Sequence, residues 1–228
     1  MPRFLKYVPT SGSRGLELPI FVHEIKPFDR DPVARCKVWH DRVQPVIARD
    51  RRRADVAWNW PNIIRPMTMA VGVRRGGRLF QMTIGDEQRP AAMISLLTKE
   101  RWFADRRQPA TYLWFLSRAP TETLTFRDRD NAAFTPRQVG QAAFDVALTI
   151  ALESAGQGRL WLHADPIGGD KLLRWYSQMT GMRTIDPGDY PKLPGDAVRG
   201  DRNNDGRYLY LDEKGAERTH RALSSYRD

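Results

Sequence analysis

Cysteine is all but missing from this chain: Cys36 stands alone among 228 residues. A disulfide within the chain is therefore excluded, and so is a zinc site built from several thiolates. Long apolar runs are absent too. The opening "MPRFLKYVPTSGSRG" has none that could act as a signal peptide, and no later stretch approaches the ~20 residues of a membrane span. The expected setting is the cytoplasm, with no membrane partner. No internal repeat and no low-complexity block interrupts the sequence.

What is present suits a folded domain. At 41% hydrophobic the chain can build a real core. A length of 228 residues fits one domain, 1–228, in which 1–77 is the less regular part, 78–211 the core and 212–228 a closing helix. The net charge of +10 makes polyanions attractive partners, nucleic acid among them. The densest basic cluster is "RDRRR" (49–53), a run that also suits a plain solvated surface.

"LELPIFVHEI" (16–25) is rich enough in β-branched and aromatic residues for a first strand. In "DPVARCKVWHDRV" Asp31 can cap a helix and Pro32 suits its first position. Cys36, Trp39 and Val43 then share one face, and Pro45 ends or kinks the helix. "VAWNWPNIIRPM" (56–67) reads as an irregular aromatic connection. "RLFQMTIG" (78–85) and "PAAMISLL" (90–97) predict consecutive strands, and "TYLWFLS" (111–117) a third. The last lacks alternation, so burial on both faces and a central place are expected. A polar insertion follows at 118–135. After it come a long helix over roughly 136–154, the strand "GRLWLHA" (158–164), and a helix at about 169–180. "MRTI" and "RYLYL" predict short strands on either side of a Pro/Gly/Asp-rich loop (186–206). The alternation points to a mixed α/β domain.

The strongest chemical signal is "RQVGQA" (137–142), at the start of the long helix. Gly140 has no Cβ, so backbone there can approach a ligand closely. First-turn amides lack helical acceptors and sit at the positive end of the helix dipole. A pyrophosphate could be held by main chain alone, with Arg137 adding charge. An ordinary helix start packed by small residues would have the same composition.

R-x-x-G-x-A, a helix, the strand "RLWLHA" and a helix with Tyr176 ahead of Gly181–Met182 together resemble the GNAT superfamily of N-acetyltransferases. Arg137, Gly140 and Ala142 fill the family's three defining positions. Two features depart from its pattern: the 118–135 insertion, and "IGGD" where an asparagine often stands. The resemblance covers about 78–211. It implies a central mixed, mostly antiparallel sheet flanked by helices, with a V-shaped splay between 111–117 and 158–164. It further implies acetyl-CoA as co-substrate, held by Phe115, Leu116 and Ser117 along the pantetheine arm. Arg137, Gln138, Val139, Gly140, Gln141 and Ala142 would take the pyrophosphate. The acceptor would be a primary amine on a small molecule, a protein or an aminoacyl-tRNA, and a homodimer stays open.

In that scheme Tyr176 is the general acid for the departing thiolate, since a phenol with pKa near ~10 is protonated at neutral pH. Leu172, Leu173, Tyr176 and Met179 also share a helical face, so the residue can serve the core as well. Among bases, His163 is the best titratable candidate. Glu100 and Asp165 come after it, and a water chain would leave no residue signature. The rival reading is a catalytically silent fold used as a binding module, with nucleic acid as its ligand. "DRNNDGRYLYLD" (201–212) matches a calcium-loop spacing. With no helix before it and a strand-like run inside it, the expectation is an Asx-rich turn and no metal.

Overall fold

"RLFQMTIGDEQRPAAMISLL" folds back on itself, because two apolar runs joined by a polar turn bury most when they pair. In the computed structural model, which describes residues 7–11, 17–26, 30–68, 74–189 and 205–227, β3 (Gly77–Ile84) and β4 (Arg89–Arg101) form that antiparallel hairpin. β2 (Glu17–Glu24) joins β3, and β5 (Pro109–Arg118) joins the far side of β4, both antiparallel. Residues 110–113 of β5 are buried, as its unbroken apolar character requires in the interior of a sheet.

β8 (Leu160–His163) lies parallel to β5, and β10 (Tyr208–Leu211) and β9 (Arg183–Thr184) continue antiparallel from it. The sheet is mixed but mostly antiparallel, with helices packed on it. The architecture is that implied by the resemblance.

Two stretches differ from their sequence reading. The aromatic connection contains α3 (Trp60–Thr68), after α1 (Arg30–Arg42) and the short α2 (Gln44–Ile47). Its start is legible afterwards: Asn59 accepts the Asn62 amide at 3.1 Å, and Pro61 stands in the first turn, where no helical N–H is needed. The polar insertion carries a 3-10 turn at Thr121–Leu124 and then two short strands, β6 (Phe126–Arg127) and β7 (Ala133–Pro136). β7 pairs with β1 (Tyr7–Ser11), which pairs with β2, so the ten-stranded order is β6-β7-β1-β2-β3-β4-β5-β8-β10-β9. Because β7 runs to Pro136, the long helix starts later than its apolar pattern suggested. It is α4 (Val139–Glu153), buried along nearly its whole length.

α5 (Gly169–Thr180) ends at Gly181, whose φ of 68° is the left-handed conformation glycine adopts without strain. That cap is why the glycine sits five residues after Tyr176. α6 (Glu213–Ala222) is capped by Asp212, which accepts the Gly215 amide at 2.7 Å.

Candidate active site

β5 and β8 pair only at residues 111–113 with 160–162. Beyond Leu113 the strands part. A bulge drives the separation: Leu96 faces Leu113 and Ser95 faces Phe115, so Trp114 is an extra residue on β5. Such a residue bends its strand and increases its twist. The gap opens into a cavity of about 1480 Å³ between residues 112–116, residues 138–141 and residues 162–165, with Trp58, Trp175 and Tyr176 around it.

One end of this cavity is walled by the start of α4. Gln138 precedes α4 at φ 59° and ψ 19°, and no side chain caps the helix. The Ala142 amide bonds to the Gln138 carbonyl at 2.9 Å, so the amides of 139–141 precede the regular ladder at the cavity wall. A Cβ on Gly140 would lie 3.2 Å from Trp175 Cζ2 and 3.8 Å from Arg118 Cδ, so a side chain there would crowd the wall. Arg118, at the end of β5, reaches solvent, yet crowding by protein and then repulsion from Arg53 hold its guanidinium below the usual arginine range. A negative charge at this place would offset the repulsion between the two guanidinium groups. Arg137 lies elsewhere: its side chain is exposed off the cavity wall, and its amide bonds to Pro9 O at 2.7 Å. Ala142 is buried within the helix.

Tyr176 also lines the cavity, 7% exposed, with its ring against Trp175 at 4.9 Å and Phe144 at 6.3 Å. Burial, with a smaller push from the Asp55 carboxylate, raises its phenol well above the ordinary range. The hydroxyl therefore keeps its proton at neutral pH, and it makes no hydrogen bond among the described residues. Asp55 arrives from the connection between α2 and α3. It accepts Arg53 at 2.8 and 2.7 Å and the Ser117 hydroxyl at 2.5 Å.

Phe115 and Leu116 face the cavity, whereas the Ser117 side chain is turned to Asp55. His163 stands at the cavity wall with its side chain 2% exposed, Nε2 on Asp205 at 2.7 Å and its ring against Tyr208 at 4.7 Å. Asp165 also reaches the cavity but accepts the Ile167 amide. Glu100 lies away from it, on β4, paired with Arg75 at 3.0 Å and raised in pKa by burial.

Asp55, Arg118 and Trp58 were not singled out from the sequence, since only tertiary pairing brings them to β5. Beside the cavity a recess of about 440 Å³ collects Arg49, Arg52, Arg53 and Arg118 with Asp50 and Glu122. Thus "RDRRR" forms the rim of the site.

No family model matches the chain, and no curated protein matches it. Among solved structures it is similar to a tyrosine-to-phenylalanine mutant of the AtaT toxin bound to the C-terminus of the antitoxin AtaR and acetyl-CoA. The identity is 12%, over 87% of this chain and 96% of that one, with a TM-score of 0.46. It is also similar to a histone acetyltransferase HPA2 and related acetyltransferase from Corynebacterium glutamicum. There the identity is 12%, over 84% of this chain and 93% of that one, with a TM-score of 0.42.

The calcium-like spacing falls partly outside the described residues. Of the rest, Asp205 serves His163 and the Arg207 amide, and Asp212 caps α6 and pairs with Arg183. Among the described residues no cluster of three or more His, Cys, Asp or Glu could hold a metal, and no helix is long and apolar enough to cross a membrane.

Proposed function

We propose that the chain is an acyl-CoA-dependent N-acetyltransferase acting on a primary amine. The observation that carries this reading is one cavity holding both the uncapped start of α4 and the protonated Tyr176, where β5 and β8 part. Acetyl-CoA is the donor substrate. The amides at 139–141 and the Arg118 guanidinium would take its pyrophosphate. The unpaired edge of β5 beyond Leu113 would bind the pantetheine arm as an added strand.

In the reaction the amine nitrogen bonds to the acetyl carbon, the carbon–sulfur bond breaks, and sulfur takes a proton while nitrogen loses one. Tyr176 supplies the proton to sulfur. Its hydroxyl is protonated at neutral pH and lies at the cavity wall, where the charge on sulfur would develop. The His163 side chain is almost wholly buried, between Asp205 and Tyr208, so we assign removal of the amine proton to water in the cavity.

Isothermal titration with CoA, followed by free-thiol release from acetyl-CoA in the presence of primary amines, tests the reading. One equivalent of CoA should bind, and Tyr176→Phe should lower turnover by ~10²–10⁴-fold with CoA affinity little changed. No binding of CoA would sink the assignment. CoA binding with wild-type turnover in Tyr176→Phe would remove the acid role and leave the tyrosine to the core.

A further inference from the structure

Gln138 is held in a left-handed conformation, which glycine adopts freely and an L side chain adopts only at a cost. That conformation turns the chain from β7 into α4 and sets where the first-turn amides point. Something must offset it.

Tyr226 does so from a distance of 88 residues: its hydroxyl donates to Gln138 Oε1 at 2.6 Å, and lies 3.4 Å from Gln141 Oε1. Tyr226 is 4% exposed. Burial, and then the Asp145 carboxylate, push its phenol up to about 12, so it remains a donor at neutral pH. Its neighbours grip the same helix. Arg227 donates to both oxygens of Asp145 at 2.6 and 2.5 Å, and the His220 ring contacts Thr149 Oγ1 at 3.2 Å. Positions 138, 141, 145 and 149 follow the three- and four-residue spacing of one helical stripe. On the opposite side of the turn the Arg137 amide is held by Pro9 O at 2.7 Å.

We propose that Tyr226 is a positioning residue for the cofactor: through Gln138 it locks the turn that presents the amides of 139–141 to the pyrophosphate. This rests on the acyltransferase reading above. The contact concerns only the phosphate end of the ligand, and a tyrosine that merely stabilised the fold would not discriminate between ligands with and without phosphate.

CoA affinity, measured by isothermal titration, is therefore compared with that for pantetheine, which lacks the nucleotide and its phosphates, measured by saturation-transfer NMR. Thermal melts of each variant verify the fold. Tyr226→Phe should weaken CoA roughly tenfold and leave pantetheine unchanged. Adding Gln138→Gly to Tyr226→Phe should restore most of the lost affinity, because glycine needs no partner to hold that turn. Equal weakening of both ligands, no weakening of CoA, or no rescue by Gln138→Gly would overturn the positioning role while leaving the acyltransferase reading intact. Failure of the unmodified protein to bind CoA would overturn both.

Discussion

The Asp55 carboxylate accepts the Ser117 hydroxyl at 2.5 Å, fastening the connection between α2 and α3 to the outgoing half of β5 across 62 residues of sequence. Asp55 is 5% exposed and also holds Arg53 through two hydrogen bonds. Removing it leaves a largely buried guanidinium without its carboxylate. Asp55→Ala should destabilise the fold by roughly 3 kcal/mol. In a double-mutant cycle with Ser117→Ala, the coupling should be about 1.5–3 kcal/mol, as for a hydrogen bond to a charged group. Urea unfolding of the four proteins measures both numbers, and additive effects would mean that the short contact contributes nothing of its own.

Gly140→Val tests the wall of the cavity. The added Cβ would stand 3.2 Å from Trp175 Cζ2 and 3.8 Å from Arg118 Cδ, and a branched side chain adds bulk at that wall. CoA affinity should fall at least ~10-fold, about 1.4 kcal/mol, with the melting midpoint little changed. Wild-type affinity in a folded variant would remove the pyrophosphate assignment.

Asp145 makes stability depend on pH in the direction opposite to most carboxylates. Burial raises its pKa to about 6, against the pull of Arg227. Between roughly pH 4 and 6 the unfolded chain has lost this proton while the folded one retains it, so stability falls as pH rises through that window. The loss is ~1.4 kcal/mol per unit of pKa difference and levels off above pH ~6. Denaturant unfolding across pH 4–7 should show this component, and Asp145→Asn should abolish it. An unchanged slope in that variant would assign it to another group.

The arginine rim predicts salt-sensitive binding to polyanions. Oligonucleotides should bind at low ionic strength and release steeply as salt is added, since each neutralised phosphate liberates counterions. Replacing Arg49 and Arg52 with alanine should reduce the logarithmic slope by about 1–2, read by fluorescence anisotropy. If no oligonucleotide binds at low salt, the charge at this rim serves solubility or cofactor steering.

Local signals made much of the fold legible. The limits of α5 follow from apolar spacing and from Gly181, both of which act within one or two turns. β5 was recognisable because an unbroken apolar run has few alternatives to the sheet interior. The start of α4 was legible as a turn into a helix, and its glycine does lie at a cavity wall shared with Tyr176. What escaped depends on distant partners. β6 and β7 are too short to announce themselves, and β7 is a strand because β1 and β6 lie on either side of it. Asp55 and Arg118 look like ordinary surface charges until folding sets one beside Ser117 and the other beside Gly140.

Only three residue pairs join β5 to β8, whereas β4 and β5 are paired over most of their length. The two halves of the sheet therefore meet over a short ladder. A ligand lying along the free edge of β5 would act as the missing rungs of that ladder. Its binding should show most clearly as slowed hydrogen exchange at the amides of β8 and at residues 114–116, with a rise in thermal midpoint that grows with ligand concentration.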